Sequence, residues 1–178
     1  MREDLVTRLG KLDIVLDIQP SFVSSDFPWV KERLGEARLD WAYAWKKLIK
    51  HGIICSGGSD SPIEEVDVRL GIYAAIARKK PGETHDGYQP EEKLSRYEAI
   101  ALYTIGSAQA ISKEHQRGYI DINFDADLTV FDRDLFIGPD EQVLEAQVMK
   151  TIIAGDIVFE NNNLSSSNLS ESIISKSK

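Results

Sequence analysis

Two short apolar runs, "DIVLDIQP" at Asp13 to Pro20 and "GIICSGG" at Gly52 to Gly58, constrain this chain more than any other feature. Each is too short for a helix, rich in Ile, Val or Leu, and closed by proline or glycine, so each reads as a buried strand. Between them, "RLDWAYAWKKLIKHG" places Trp41, Trp45, Leu48 and Ile49 at i, i+4, i+7 and i+8. Lys, His and then Gly52 supply the stop signals of an amphipathic helix. A strand, a crossover helix and a second strand imply parallel pairing, because antiparallel neighbours need only a hairpin. The expected class is therefore α/β.

The pattern continues beyond the second strand. From Pro62 to about Lys79, Val66, Leu70, Tyr73 and Ala77 line one face of an expected helix. After a break at "KKPGETHDGYQPEE", the stretch "LSRYEAIALYTIGSAQAIS" reads as a further helical region that starts from a capping box at Ser95 and Glu98. Near His115 the periodicity changes. "GYIDINFDADLTVFDRD" alternates apolar and polar residues, and "QVMKTIIAGDIVFE" reads as two strands around a turn at Ala154 and Gly155. The expected organisation is an α/β part over 1–115, an antiparallel β module over 116–160, and a Ser- and Asn-rich tail over 161–178 whose composition favours disorder.

Composition excludes several classes of function. A net charge of -8 with no basic stripe argues against nucleic acid as a partner. No stretch approaches the roughly 20 apolar residues of a membrane span, and the start lacks the apolar region of a signal peptide. The single cysteine, Cys55, cannot form an internal disulfide, so a reducing cytoplasm is the expected location.

The stretch "CSGGSDSPIEE", Cys55 to Glu65, carries the candidate chemistry. Ser61, Pro62 and Glu64 fit a helix N-terminus with Ser61 as the cap, which leaves Asp60 one residue earlier at the carboxyl end of a strand. Side chains at that end of parallel strands face the ligand crevice of barrels and open sheets. On pattern alone, capping and chemistry remain equal readings of Asp60. A serine elbow does not fit, because Ser61 stands where that motif needs glycine. Gly57 and Gly58 before a helix could cradle a phosphate, although neither phosphate-loop pattern is present.

The ordered series "DIQPSF", "RLGEARLDWAYAWKKLIKHGIICSGGSDSPIEEVD", "LSRYEAIALYTIGSAQA", "RGYIDINFDADLTVFD" and "VMKTIIAGDIVFE" resembles the C-terminal part of the amidohydrolase superfamily. The nearest group is the YtcJ-like metal-dependent hydrolases, or amidohydrolase family 3, and the similarity covers roughly Asp13 to Glu160. The resemblance implies a (β/α)₈ barrel with a small composite β-sandwich. The two apolar runs would be its last two barrel strands, and Tyr119 to Phe159 part of the sandwich. It also implies one or two divalent metals, usually zinc, that activate water for hydrolysis of an amide or other carbon–nitrogen bond of a small molecule. Asp60 matches the family's acid after the last strand, a metal ligand and proton-transfer base. Gln19 and Ser59, and more remotely Arg38, are candidate substrate contacts.

The rest of the family's site has no counterpart here. His51, His85 and His115 form no His-x-His pair, and none follows a strand, so surface positions are expected for all three. A whole barrel needs about 250 residues. The expectation is a C-terminal portion that holds no metal and is inactive alone, whether truncated, cloned as a piece or split, and prone to self-association or to pairing with the missing N-terminal portion. The alternatives are a non-catalytic scaffold module and a phosphate-binding α/β domain.

Overall fold

The computed structural model describes residues 2–162, so the expectation for the tail falls outside the described residues. Element order is α1 (Glu3–Leu9), β1 (Val15–Ile18), α2 (Phe22–Leu34), α3 (Trp45–Lys50), β2 (Ile54–Gly57), α4 (Val68–Ala77), α5 (Arg96–Tyr103), α6 (Ile105–Ala110), β3 (Leu128–Phe131), α7 (Gln142–Glu145), β4 (Val148–Ile153) and β5 (Asp156–Glu160). The class is mixed α/β. Two compact units separate: the described residues up to Phe124 with Leu135–Glu145, and Asp125–Asp134 with the described residues from Ala146 on.

In the first unit the two apolar runs pair in parallel, Val15 opposite Ile54 through Ile18 opposite Gly57. The Gly58 amide extends the ladder, donating to the Ile18 carbonyl at 2.8 Å. The core around this pair contains Ile18, Val23, Phe27, Trp45, Leu48, Cys55 and Tyr73. Burial pushes the Cys55 thiol up to about 11, so it stays protonated at neutral pH and is no nucleophile.

The crossover is built differently from the expectation. The "RLDWAYAWKKLIKHG" pattern is split: Glu36–Trp41 is a 3-10 helix, Tyr43 takes a φ of 50°, and only Trp45–Lys50 is α-helical. Most of the crossover is α2, which buries Val23, Phe27 and Val30 despite Pro28 in its interior. The helix expected from Pro62 begins only at Val68. Its cap is Asp67, whose carboxylate accepts from the Arg69 amide, so the Ser61–Glu64 box does not form. Arg78 closes α4 at a φ of 54° with its side chain fully buried, donating to the Tyr88 and Tyr43 carbonyls and to Gln89 Oε1.

The capping box at Ser95 is present. The Glu98 amide donates to Ser95 Oγ at 3.2 Å, and Glu98 Oε2 accepts from the Ser95 amide at 2.7 Å. Burial opposes ionisation of Glu98, but the Lys46 ammonium and the Ser95 donors outweigh it and hold the carboxyl below its usual 4.5. A lowered carboxyl stabilises the fold above its ordinary value and loses that contribution as pH falls through the lowered one. Ser95→Ala should cost about 1 kcal/mol in denaturant unfolding at neutral pH, and the difference from the parent should shrink as acidification protonates Glu98.

The second unit is a three-stranded antiparallel sheet ordered β3, β4, β5. Ala154 and Gly155, at φ 52° and 88°, make the turn between β4 and β5, as a two-residue hairpin with both residues left-handed requires. Asp127 accepts the Ala154 amide and Asp132 the Gln147 amide, each at 2.8 Å, so these acids fasten loops to strands. Tyr119 and Ile120 are exposed and outside any strand, unlike the alternation expected of them.

Candidate functional site

Parallel pairing brings the carboxyl ends of β1 and β2 together, and the candidate residues follow from that. Gln19 continues β1 one step beyond Ile18, and Gly58 to Asp60 continue β2 beyond Gly57. The ladder bond from Gly58 to Ile18 fixes Gln19 beside the start of the Gly58–Asp67 segment. Asp60 is exposed at a φ of 54°, and its carbonyl accepts from the Ile63 amide at 3.0 Å, which turns the chain immediately after it. Asp60 therefore does not cap α4, whose N-terminus lies seven residues further on at Asp67. Ser59 is half-buried in the same segment.

The two faces of the strand pair differ in chemistry. Helices α5 and α6 cover the face of Cys55 and Gly57: Tyr103 of α5 lies against Gly57, and Gly106 of α6 against the Cys55 carbonyl. Burial, reinforced by the charge of Asp17, pushes the Tyr103 hydroxyl far above its ordinary pKa, so it stays a neutral phenol. Alternation sends Ser56 and Gly58 to the opposite face. There Ser56 Oγ donates to Asp17 Oδ1 at 3.0 Å, and a Cβ on Gly58 would come within 3.3 Å of the same oxygen. Asp17 was not singled out from the sequence. Its place two residues before Gln19, on the same face of an alternating strand, is the signal that could have found it.

Arg38 is held elsewhere. It lies in the 3-10 helix after α2, and its guanidinium donates to the Leu34 carbonyl at 2.6 Å and the Arg33 carbonyl at 3.3 Å, satisfying the end of α2. The phosphate reading of Gly57 and Gly58 is corrected by the same geometry. Tyr103 fills the space against Gly57, the Gly58 N–H is spent on the ladder, and α4 starts ten residues later.

Among the described residues, no three His, Cys, Asp or Glu side chains are grouped so as to hold a metal ion. His51 bonds the Lys47 carbonyl, His85 pairs with Glu83, and His115 is almost fully exposed. The donors among the described residues do not by themselves fit a divalent zinc ion, which wants three or four protein ligands. No helix among the described residues is long and apolar enough to cross a membrane.

A model of the family described as "Amidohydrolase family" matches residues 1–159. The chain belongs to the amidohydrolase family. Over 160 residues it is 49% identical to "Putative amidohydrolase YtcJ" of Bacillus subtilis (strain 168), a match covering 89% of this chain and 30% of that protein. Over 117 residues it is 29% identical to "N-substituted formamide deformylase" of Arthrobacter pascens, covering 65% of this chain and 21% of that protein. Its fold superposes on an uncharacterized metal-dependent hydrolase from Pyrococcus horikoshii OT3 with a TM-score of 0.69 and 33% identity, covering 79% of this chain and 28% of that one. This amidohydrolase chain thus spans less than a third of each.

Proposed function

We propose that the chain is the C-terminal portion of a metal-dependent amidohydrolase, supplying the last two barrel strands as β1 and β2 and part of a β-sandwich through β3 to β5. The observation that carries this reading is the parallel pairing of β1 and β2, with Asp60 leaving the carboxyl end of the second. A parallel pair on its own is an unfinished structure, because parallel strands occur almost only in larger sheets buried on both faces. Among the described residues, β1 pairs with β2 alone. A hollow of about 300 Å³ beside β1, lined by Leu16, Asp17, Ile18, Gln19 and Trp45 among others, supports a missing neighbour on that side.

In the completed barrel, Asp60 takes a proton from the attacking water and returns it to the leaving group. Gln19 and Ser59 contact a small-molecule substrate, and Arg38 serves α2 instead. The bond class, a carbon–nitrogen bond, is supported by family membership and by the deformylase relative's name. The proposed cofactor is a divalent metal, zinc in the first instance, held mainly by residues of the remaining barrel. The protein acts in the cytoplasm, and the partner of this chain is that remaining portion.

The test replaces the matching segment of the Bacillus subtilis relative with this chain and assays small N-acyl and N-formyl amides. The assembled protein should hydrolyse members of the panel in a metal-dependent way, and this chain alone none. Turnover by this chain alone, or a metal-replete assembly that cleaves no carbon–nitrogen bond, would reject the reading.

A further inference from the structure

The segment Gly58–Asp67, which carries Asp60, lacks the apolar anchor that usually fixes a loop: Ile63 is 68% exposed and Val66 71%. Asp60 itself sits at φ 54°, a conformation that costs a non-glycine residue energy and persists only when the surroundings impose it. Among the described residues, one side-chain hydrogen bond across 39 residues reaches the middle of the segment. Ser25 Oγ donates to Glu64 Oε1 at 2.6 Å, and both residues are half-buried.

We propose that Glu64 is a positioning residue: its bond to Ser25 sets where Asp60 stands at the mouth of the strand pair. This rests on the reading of Asp60 as the proton-transferring acid. Ser25 lies in the first turns of α2, between the buried side chains of Val23 and Phe27, so the donor is fastened to the core. Helix α2 starts four residues after β1 ends. The bond therefore laces together the connections leaving two neighbouring parallel strands at the same end. From Glu64 the constraint reaches Asp60 in one short turn, closed by the bond from the Ile63 amide to the Asp60 carbonyl.

The first arm reads the Ile63 amide by hydrogen exchange in the full chain. Glu64→Ala and Ser25→Ala should each speed its exchange about tenfold or more, with no greater effect when combined. Glu64→Gln, whose carbonyl still accepts from Ser25, should stay near the parent, and amides of β2 and α4 should not change. Unchanged exchange in the alanine variants, or a glutamine variant as loose as alanine, would overturn the proposal. The second arm uses the assembled protein. Glu64→Ala should lower kcat about tenfold at unaltered KM, with Glu64→Gln restoring it; a loosened loop with undiminished kcat would also overturn it. Failure of the underlying reading shows separately, as unchanged turnover in Asp60→Asn beside an intact exchange result.

Discussion

Gly106→Ala should lower the melting temperature of the chain by about 10 °C, the size of shift expected for a loss of about 3 kcal/mol in a chain of this length. Helix propensity alone argues the opposite sign, since alanine inside a helix is favoured over glycine by up to about 1 kcal/mol. Packing decides. A Cβ at position 106 would fall inside contact distance of the Cys55 carbonyl oxygen and 3.0 Å from its carbonyl carbon, both backbone atoms of β2. Backbone cannot swing aside as a side-chain tip does, so α6 must lift from the strand and open the core around Cys55. Gly71→Ala is the informative comparison. Its Cβ would meet the end of the Tyr103 side chain, which can shift in part, so the loss should be smaller. Thermal unfolding by circular dichroism measures both, and a Gly106→Ala variant as stable as the parent would show that α6 does not lie on β2 as described.

The second large effect concerns chemistry. Asp60→Asn in the assembled protein should reduce turnover about 10³-fold, within the range lost when a general acid–base group is removed. Asparagine keeps the shape and hydrogen-bonding reach of aspartate but cannot accept the proton. Because Asp60 is exposed and its carboxylate does not cap α4, the substitution should leave the thermal stability of this chain unchanged. That combination, turnover lost with stability kept, separates a chemical role from a structural one. Steady-state kinetics with metal-loaded enzyme provide the measurement, and turnover within a few-fold of the parent would remove Asp60 from the site.

Where local chemistry decides structure, the sequence was readable. The two strands follow from short apolar runs closed by Pro20 and by Gly57 and Gly58, and their pairing follows from the length between them. Ser95 and Glu98 form the box their spacing suggests, and Ala154 with Gly155 makes the expected hairpin. Distant partners were not readable. Ser61, Pro62 and Glu64 have the spacing of a helix start, yet Glu64 bonds Ser25, 39 residues away, and the helix waits until Asp67. Pro28 and a run of serines hid α2, although Val23, Phe27 and Val30 carry its helical spacing. Asp60 was picked out as the residue left over from capping. It stands apart from the cap in the structure, but because of the turn to Ile63 rather than because Ser61 had taken that role.

The proposed contribution of this chain to a metal site is one carboxylate from the end of β2, with the remaining ligands supplied by the rest of the barrel. Elemental analysis of purified protein tests it. The chain alone, dialysed against micromolar zinc, should retain well under one equivalent, and its assembly with the remainder of the barrel should retain at least one, reduced by Asp60→Ala. A full equivalent of zinc bound by this chain alone, or an assembly whose metal content ignores Asp60→Ala, would contradict it.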